Sequence, residues 1–185
     1  MRKTKYHIKK KIMPLLLAVA MAGTATPIYV AHPAIVKAAV SNAFGTNKIS
    51  LSAGSYTVPV SLKKADNVEQ NSMAAGAVGE NATLEVAEDG TASLEVELKA
   101  LNLYGMTGAA KDLKVYQGND IKSETKDVTV EETDEAGNPT KIKFTISESV
   151  KTTDGIYLHM MISPIAKETD AFLKVDYASL KGNEN

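Results

Sequence analysis

Gly54-Ser-Tyr-Thr-Val-Pro-Val-Ser-Leu62 decides the fold. Tyr56, Val58 and Val60 alternate with Ser55, Thr57 and Ser61, so one side is apolar and the other polar, the period of a half-buried strand. Pro59 removes one ladder donor and predicts an edge position for this strand. Further on, Ser72-Met73-Ala74-Ala75-Gly76 is a small-residue segment with room for only one or two helical turns.

The same alternation recurs down the chain. Leu84 and Val86 alternate with Thr83 and Glu85, Asp89-Gly90 supplies a turn, and Leu94, Val96 and Leu98 resume the pattern among acids. Asp-Gly between two such runs is a hairpin signal. Leu113 and Val115 continue it, as do Val128 and Val130. Residues 135–139 (Glu-Ala-Gly-Asn-Pro) form another turn, leading into Ile142, Phe144 and Ile146. Residues 156–162 and 171–177 complete a final pair. Residues 100–108, with two glycines, break the alternation and predict a crossover or bulged strand. No long segment keeps a helical period. About eight short strands, each with one polar face, predict an all-β fold: an immunoglobulin-like antiparallel β-sandwich.

The N-terminus predicts export. Arg2, Lys3, Lys5, Lys9, Lys10 and Lys11 precede an apolar run at residues 13–22, and Val36-Lys37-Ala38 gives a small-residue cleavage signature, with Gly23-Thr24-Ala25 as an earlier competitor. The apolar run is about half the length a spanning helix needs. An uncleaved anchor is the alternative, kept alive by the apolar patch at 28–40 and weakened by Pro27, His32 and Pro33. On this reading residues 1–38 are a signal peptide, 39–53 a polar linker, 54–181 the domain and 182–185 a tail.

Segment 1–38 holds seven of the 21 Lys and Arg and none of the 22 acids, so the remainder carries 14 basic against 22 acidic side chains. That excess of acid disfavours nucleic acid and anionic lipid as partners. It suits a secreted, soluble domain with no stable membrane span after cleavage. Cysteine is absent, which excludes disulfides, thiolate chemistry, Cys-ligated metals and lipoprotein attachment. No sortase-type signal closes the sequence, so a released protein is expected.

Catalytic readings find little support. His159 is the one histidine beyond the signal segment and lies inside an expected strand, where a lone histidine is more often structural. There is no phosphate-cradling glycine loop and no zinc-type His-Glu-x-x-His spacing. Acids at alternate positions, such as Glu95 and Glu97, predict a solvated sheet face. Asn81-Ala-Thr83 fits a glycosylation sequon. A non-enzymatic role is expected.

The ordered series of motifs resembles the NEAT (near iron transporter) domain of Gram-positive bacteria. The pieces are Tyr-Thr-Val-Pro-Val at 56–60, Ser72-Met73, a Leu-Glu-Val…Asp-Gly…Leu-Glu-Val hairpin at 84–96, Asp-Leu-Lys-Val-Tyr at 112–116, and a closing hairpin whose first strand ends near Pro164. The resemblance covers most of the chain beyond residue 53. It implies a module for haem and iron acquisition, with haem in a groove between a Ser-Met lip and the last hairpin.

What the resemblance implies for single residues is less uniform. Ser72 and the lip's backbone N–H groups would take a haem propionate, with Lys63 and Lys64 just upstream. Haem-binding members usually carry Tyr-x-x-x-Tyr at the start of the last strand, where the first phenolate ligates ferric iron. Here those positions fall on Glu168 and Phe172 without a gap, or on Thr169 and Leu173 with a shift of one. Neither registration supplies a tyrosine. Methionine is the substitute, as in streptococcal relatives that ligate haem through two methionines. Met160 and Met161 are consecutive, so one of them faces the groove. His159, Met161 and Ser163 then share the groove side, and Leu158, Met160 and Ile162 the core side.

The implied haem contacts are Ser72, Met73, His159, Met161 and Phe172, with Met73 and Met161 on the iron and His159 as a competing donor. The expected role is a secreted or cell-surface module that captures or relays haem, with haem, host haemoproteins and other haem-relay proteins as partners. One alternative is a sandwich of this type that binds haemoproteins or other proteins through Tyr104 and Met106 without binding haem. A plain structural or adhesive sandwich is the other.

Overall fold

A computed structural model describes residues 42–163 and 165–182. The signal-peptide reading of residues 1–38, Pro164 of the last-hairpin motif, and residues 183–185 of the expected tail lie outside the described residues. Along the described chain the strands are β1 (Ala43–Phe44), β2 (Ile49–Ser50), β3 (Gly54–Lys64), β4 (Val78–Val86), β5 (Ala92–Leu98), β6 (Leu101–Leu103), β7 (Met106–Gly108), β8 (Ala110–Tyr116), β9 (Thr125–Asp127), β10 (Thr129–Thr133), β11 (Pro139–Ile146), β12 (Gly155–Ile162), β13 (Lys167–Val175) and β14 (Lys181–Gly182). One α-helical turn, α1 (Glu148–Lys151), precedes β12. Eight of the strands have five or more residues, and the fold is all-β as the alternation predicts.

The hydrogen-bonded order is β10-β11-β5-β4-β3-β13-β12-β8-β9, with every pairing antiparallel. β3 belongs to both halves of this order. Its residues 54–59 pair with β4 and residues 60–64 pair with β13. The expected edge position is therefore wrong, because β3 is the central shared strand. Pro59 is tolerated because it stands at the handover between partners, where it ends the β4 ladder opposite Asn81. Its carbonyl accepts from the Asp176 N–H at 2.9 Å.

The two halves close on one apolar core. Val58, Leu84, Leu94, Val96 and Ile142 fill it from one half, and Ile156, Leu158, Met160, Ile162 and Leu173 from the other, none more than 1% exposed. Burying one such side chain is worth about 1.5–3 kcal/mol, so the alternate residues of these strands supply the driving force. The turns form where the sequence places them. Gly90 has φ +85° and the Asp89 carboxylate accepts from the Thr91 N–H. At 134–138, the Asp134 carboxylate accepts from the N–H groups of Ala136 and Asn138 while Gly137 takes φ +76°.

Two stretches differ from expectation. Residues 42–51, expected within a linker, carry the β1–β2 hairpin, whose Phe44 is fully buried in the core against the Tyr177 ring. Gly45 N–H donates to the Lys151 carbonyl, and Thr46 bonds the Asp154 carboxylate through both its N–H and its hydroxyl. Residues 101–108, expected as a crossover or bulge, form the separate β6–β7 hairpin. Its two-residue loop, Tyr104-Gly105, has φ +54° and +78°, the left-handed pair that a tight hairpin turn requires.

Candidate functional site

The segment after β3 doubles back on its own strand. Lys64 N–H donates to the Gln70 carbonyl, Ser72 N–H donates to the Leu62 carbonyl, and Lys63 faces Asn71 in an isolated bridge. Ser72, buried, then organises a tight turn: its Oγ accepts from Ala74 N–H and its carbonyl from Ala75 N–H. A three-residue 3-10 turn, Ala75–Ala77, follows, anchored by fully buried Ala77. Small residues are needed here because the turn lies directly on the core. Met73 stands at the outer side of this lip, 38% exposed.

Four of the lip's amides are turned to the protein itself. The N–H groups of Ser72, Ala74, Ala75 and Ala77 already have protein acceptors. Lys63 and Lys64 are likewise engaged, their ammoniums donating to the side-chain oxygens of Asn71 and Gln70 at 2.8 and 2.7 Å.

Opposite the lip lies the outward face of β8, β12 and β13. On β12, Leu158, Met160 and Ile162 are buried, while Tyr157, His159 and Met161 are half-buried on the other face, as the alternation predicts. The register of β12 with β13 pairs Tyr157 with Phe172, His159 with Asp170 and Met161 with Glu168. Residues 168, 170 and 172 therefore share this face, whereas Leu173 is fully buried in the core. Of the two possible placements of the family's tyrosine positions, only Glu168 and Phe172 puts both on the outward face.

His159 and Asp170 are joined, His159 Nδ1 lying 2.8 Å from Asp170 Oδ1. The Tyr116 hydroxyl, from β8, donates to the same oxygen at 2.9 Å. Burial and then the neighbouring Asp170 carboxylate push the Tyr116 phenol up to about 12, so it stays a neutral donor. A carboxylate only accepts, so His159 donates through Nδ1. In the neutral ring Nε2 then keeps its lone pair.

A groove of about 630 Å3 runs between the lip and this hairpin, lined by Lys64, Ser72, Met73, Ile121, His159, Lys167 and Asp170, with Ala65, Asp66, Glu168 and Thr169. Its size falls within the roughly 300–1,000 Å3 usual for organic-ligand sites. Of the residues singled out from sequence, Ser72, Met73 and His159 come together here. Met161 and Phe172 share His159's face but do not line the groove. Met161 lies two residues along the strand, about 7 Å away at strand rise. Phe172 is held the other way, edge-on to Tyr157 at 4.9 Å and directly over Gly155.

A family model, the iron transport-associated domain, matches residues 50–178. The chain belongs to the NEAT family. A search among curated proteins finds no match. In this NEAT domain the groove presents an imidazole on the sheet and a thioether on the lip, with Lys64 and Lys167 as cations and Asp66 and Glu168 as anions along it. Among the described residues no group of three or more His, Cys, Asp and Glu side chains is placed to hold a bare metal ion. A haem brings four nitrogen donors of its own and needs only axial ligands and charge partners, so the donor set fits a haem.

Asp170, Tyr116, Ile121 and Lys167 were not legible as site residues. The one available signal for Asp170 was the hairpin register: once Ile162 pairs with Lys167, counting back places Asp170 opposite His159.

Proposed function

We propose that this NEAT domain is an exported haem-binding module that captures or relays haem without catalysing a reaction. The observation that carries the reading is the groove between lip and last hairpin, where Met73 and His159 line one space in a chain of an iron-transport family. Haem would insert its macrocycle against the outward face of β12 and β13, with Lys167 offering charge to a propionate. Met73, Met161 and His159 are the candidate iron donors, Ser72 sets the lip that carries Met73, and Phe172 braces the hairpin beside the groove. The signal segment at 1–38 would send the protein out of the cell, where haem or host haemoproteins are met. Titrating the purified full-length chain with haemin tests the reading. A Soret band that saturates at one equivalent at micromolar haemin is expected, and an unchanged haemin spectrum overturns it.

A second reading has its own observation. Tyr104, at the tip of the β6–β7 hairpin, is 82% exposed and Met106 beside it is 45% exposed. An aromatic held out on a tight turn suits contact with a protein partner, so binding of haemoproteins through this tip is the alternative role. Haemoglobin capture that is lost in Tyr104→Ala, with haemin binding absent throughout, would replace the first reading with this one.

A further inference from the structure

The geometry points to His159 Nε2 as the axial iron donor of this domain, and to Asp170 as the residue that positions it. The inference rests on the haem-binding reading above and goes beyond it by choosing the donor and naming its support. Three observations carry it. First, His159 is in the groove wall, whereas Met161, the methionine on the same strand face, is not. Second, Asp170 engages Nδ1 at 2.8 Å from the directly paired position on β13, so the ring's orientation and tautomer are fixed by a backbone register. Third, Asp170 is itself fixed, because the buried Tyr116 hydroxyl from a third strand donates to the same oxygen at 2.9 Å. Three neighbouring strands, β8, β12 and β13, thus each contribute one member of a chain that ends in one unshared imidazole nitrogen.

That arrangement has a chemical consequence. A histidine that ligates a metal through one nitrogen and donates the other N–H to a carboxylate is held in one tautomer and becomes a stronger donor. A stronger, anion-supported donor favours ferric over ferrous iron, opposite to the preference of thioether ligands. Met73 on the lip lines the same groove and would offer the iron a thioether as a second donor. Haem entry and exit would then turn on the lip, while the sheet side stays constant.

Resonance Raman spectroscopy of the ferrous haem complex of the full-length Met73→Ala chain, whose lip has no thioether to make the iron six-coordinate, tests the assignment directly. This complex is expected to show an iron–imidazole stretching band. When Asp170→Asn is added the band should move to lower frequency, and haem loss to an excess of apomyoglobin should accelerate by about tenfold to a hundredfold. His159→Gly should lose the band and recover it on adding free imidazole, a rescue that a merely structural role would not give. A haem complex without the band in the Met73→Ala chain, or with a band unmoved when Asp170→Asn is added to it, overturns the donor assignment while leaving haem binding intact. No haem complex at all overturns both readings. The Met73→Ala spectrum does not depend on the His159→Gly chain, so a His159→Gly chain that fails to fold leaves the test standing.

Discussion

The two outward faces of this sandwich are built from the same alternating strands and carry different chemistry. On β4, β5 and β11 the exposed positions form an ion-pair lattice: Lys143 reaches Glu85 at 2.6 Å, and Lys141 lies 2.6 Å from Glu132 on β10 and 3.7 Å from Glu95. On β8, β12 and β13 the corresponding positions hold Tyr116, Tyr157, His159, Asp170 and Phe172, joined by aromatic contacts and by hydrogen bonds to one carboxylate. The inner faces do not differ in this way, since both are apolar and buried. Function in such a fold therefore has to be sought on the outside. The informative sign is a polar residue held by a neighbour, as opposed to one that merely faces water.

If the inner faces are equivalent, truncating either should cost the same. Leu94→Ala in one half and Leu173→Ala in the other, both fully buried, should each lose about 2–5 kcal/mol in chemical denaturation. A large disparity would break the comparison at its base. Next in size is Gly155→Ala. A Cβ there would collide with the Leu173 carbonyl oxygen and stand 2.6 Å from the Phe172 ring. Backbone cannot yield as a side chain does, so a loss of about 1–3 kcal/mol is expected, with displacement of Phe172 from Tyr157 visible as altered aromatic circular dichroism.

The outer network should cost less and show a pH signature. Tyr116→Phe removes one hydrogen bond to a charged group, and about 1.5 kcal/mol is expected near neutral pH. The phenol sits at about 12 in the fold against an ordinary value near 10. The raised value means that its contribution is whole below pH 10 and is lost as pH rises through 12. Tyr116→Phe should accordingly flatten the alkaline decline of stability in this window. An alkaline limb identical in the two proteins would show that Tyr116 is not held by Asp170.

The alternation of Val58, Leu84, Leu94, Ile142, Leu158 and Leu173 made the all-β fold legible, because burial on one face leaves a period of two in any sequence. Pro59 misled for a physical reason. A missing donor is tolerated at an edge and equally where a strand changes partners, and the local sequence does not distinguish the two. Phe44 lies in a stretch rich in polar residues, so only its long-range contact with Tyr177 marks it as core. The candidate site was half legible. Ser72, Met73 and His159 stand out locally, whereas Asp170 and Tyr116 join His159 only through strand register, which one sequence does not state. The inward or outward side of Met160 and Met161 was readable, but whether Met161 reaches the groove depended on where the lip lands.

The smallest effect is expected on the first face. Glu85 and Lys143 come from β4 and β11 and meet across β5, with side chains 47% and 32% exposed. The short distance raises the Lys143 ammonium above its ordinary range, chiefly through its hydrogen bond to Glu85, yet water and salt reach both groups. Holding two long side chains in one geometry also costs conformational freedom, which offsets most of the attraction. A double-mutant cycle of Glu85→Gln with Lys143→Met should give a coupling below about 1 kcal/mol. That coupling should fade in about 1 M salt, where the screening length shrinks to roughly 3 Å. The Tyr116–Asp170 coupling, from Tyr116→Phe with Asp170→Asn, should exceed it and hold in salt, because Tyr116 is buried and its hydrogen bond does not depend on a second full charge. Equal couplings with equal salt dependence would mean that both faces are only solvated surface, and the distinction that points to the groove would be lost.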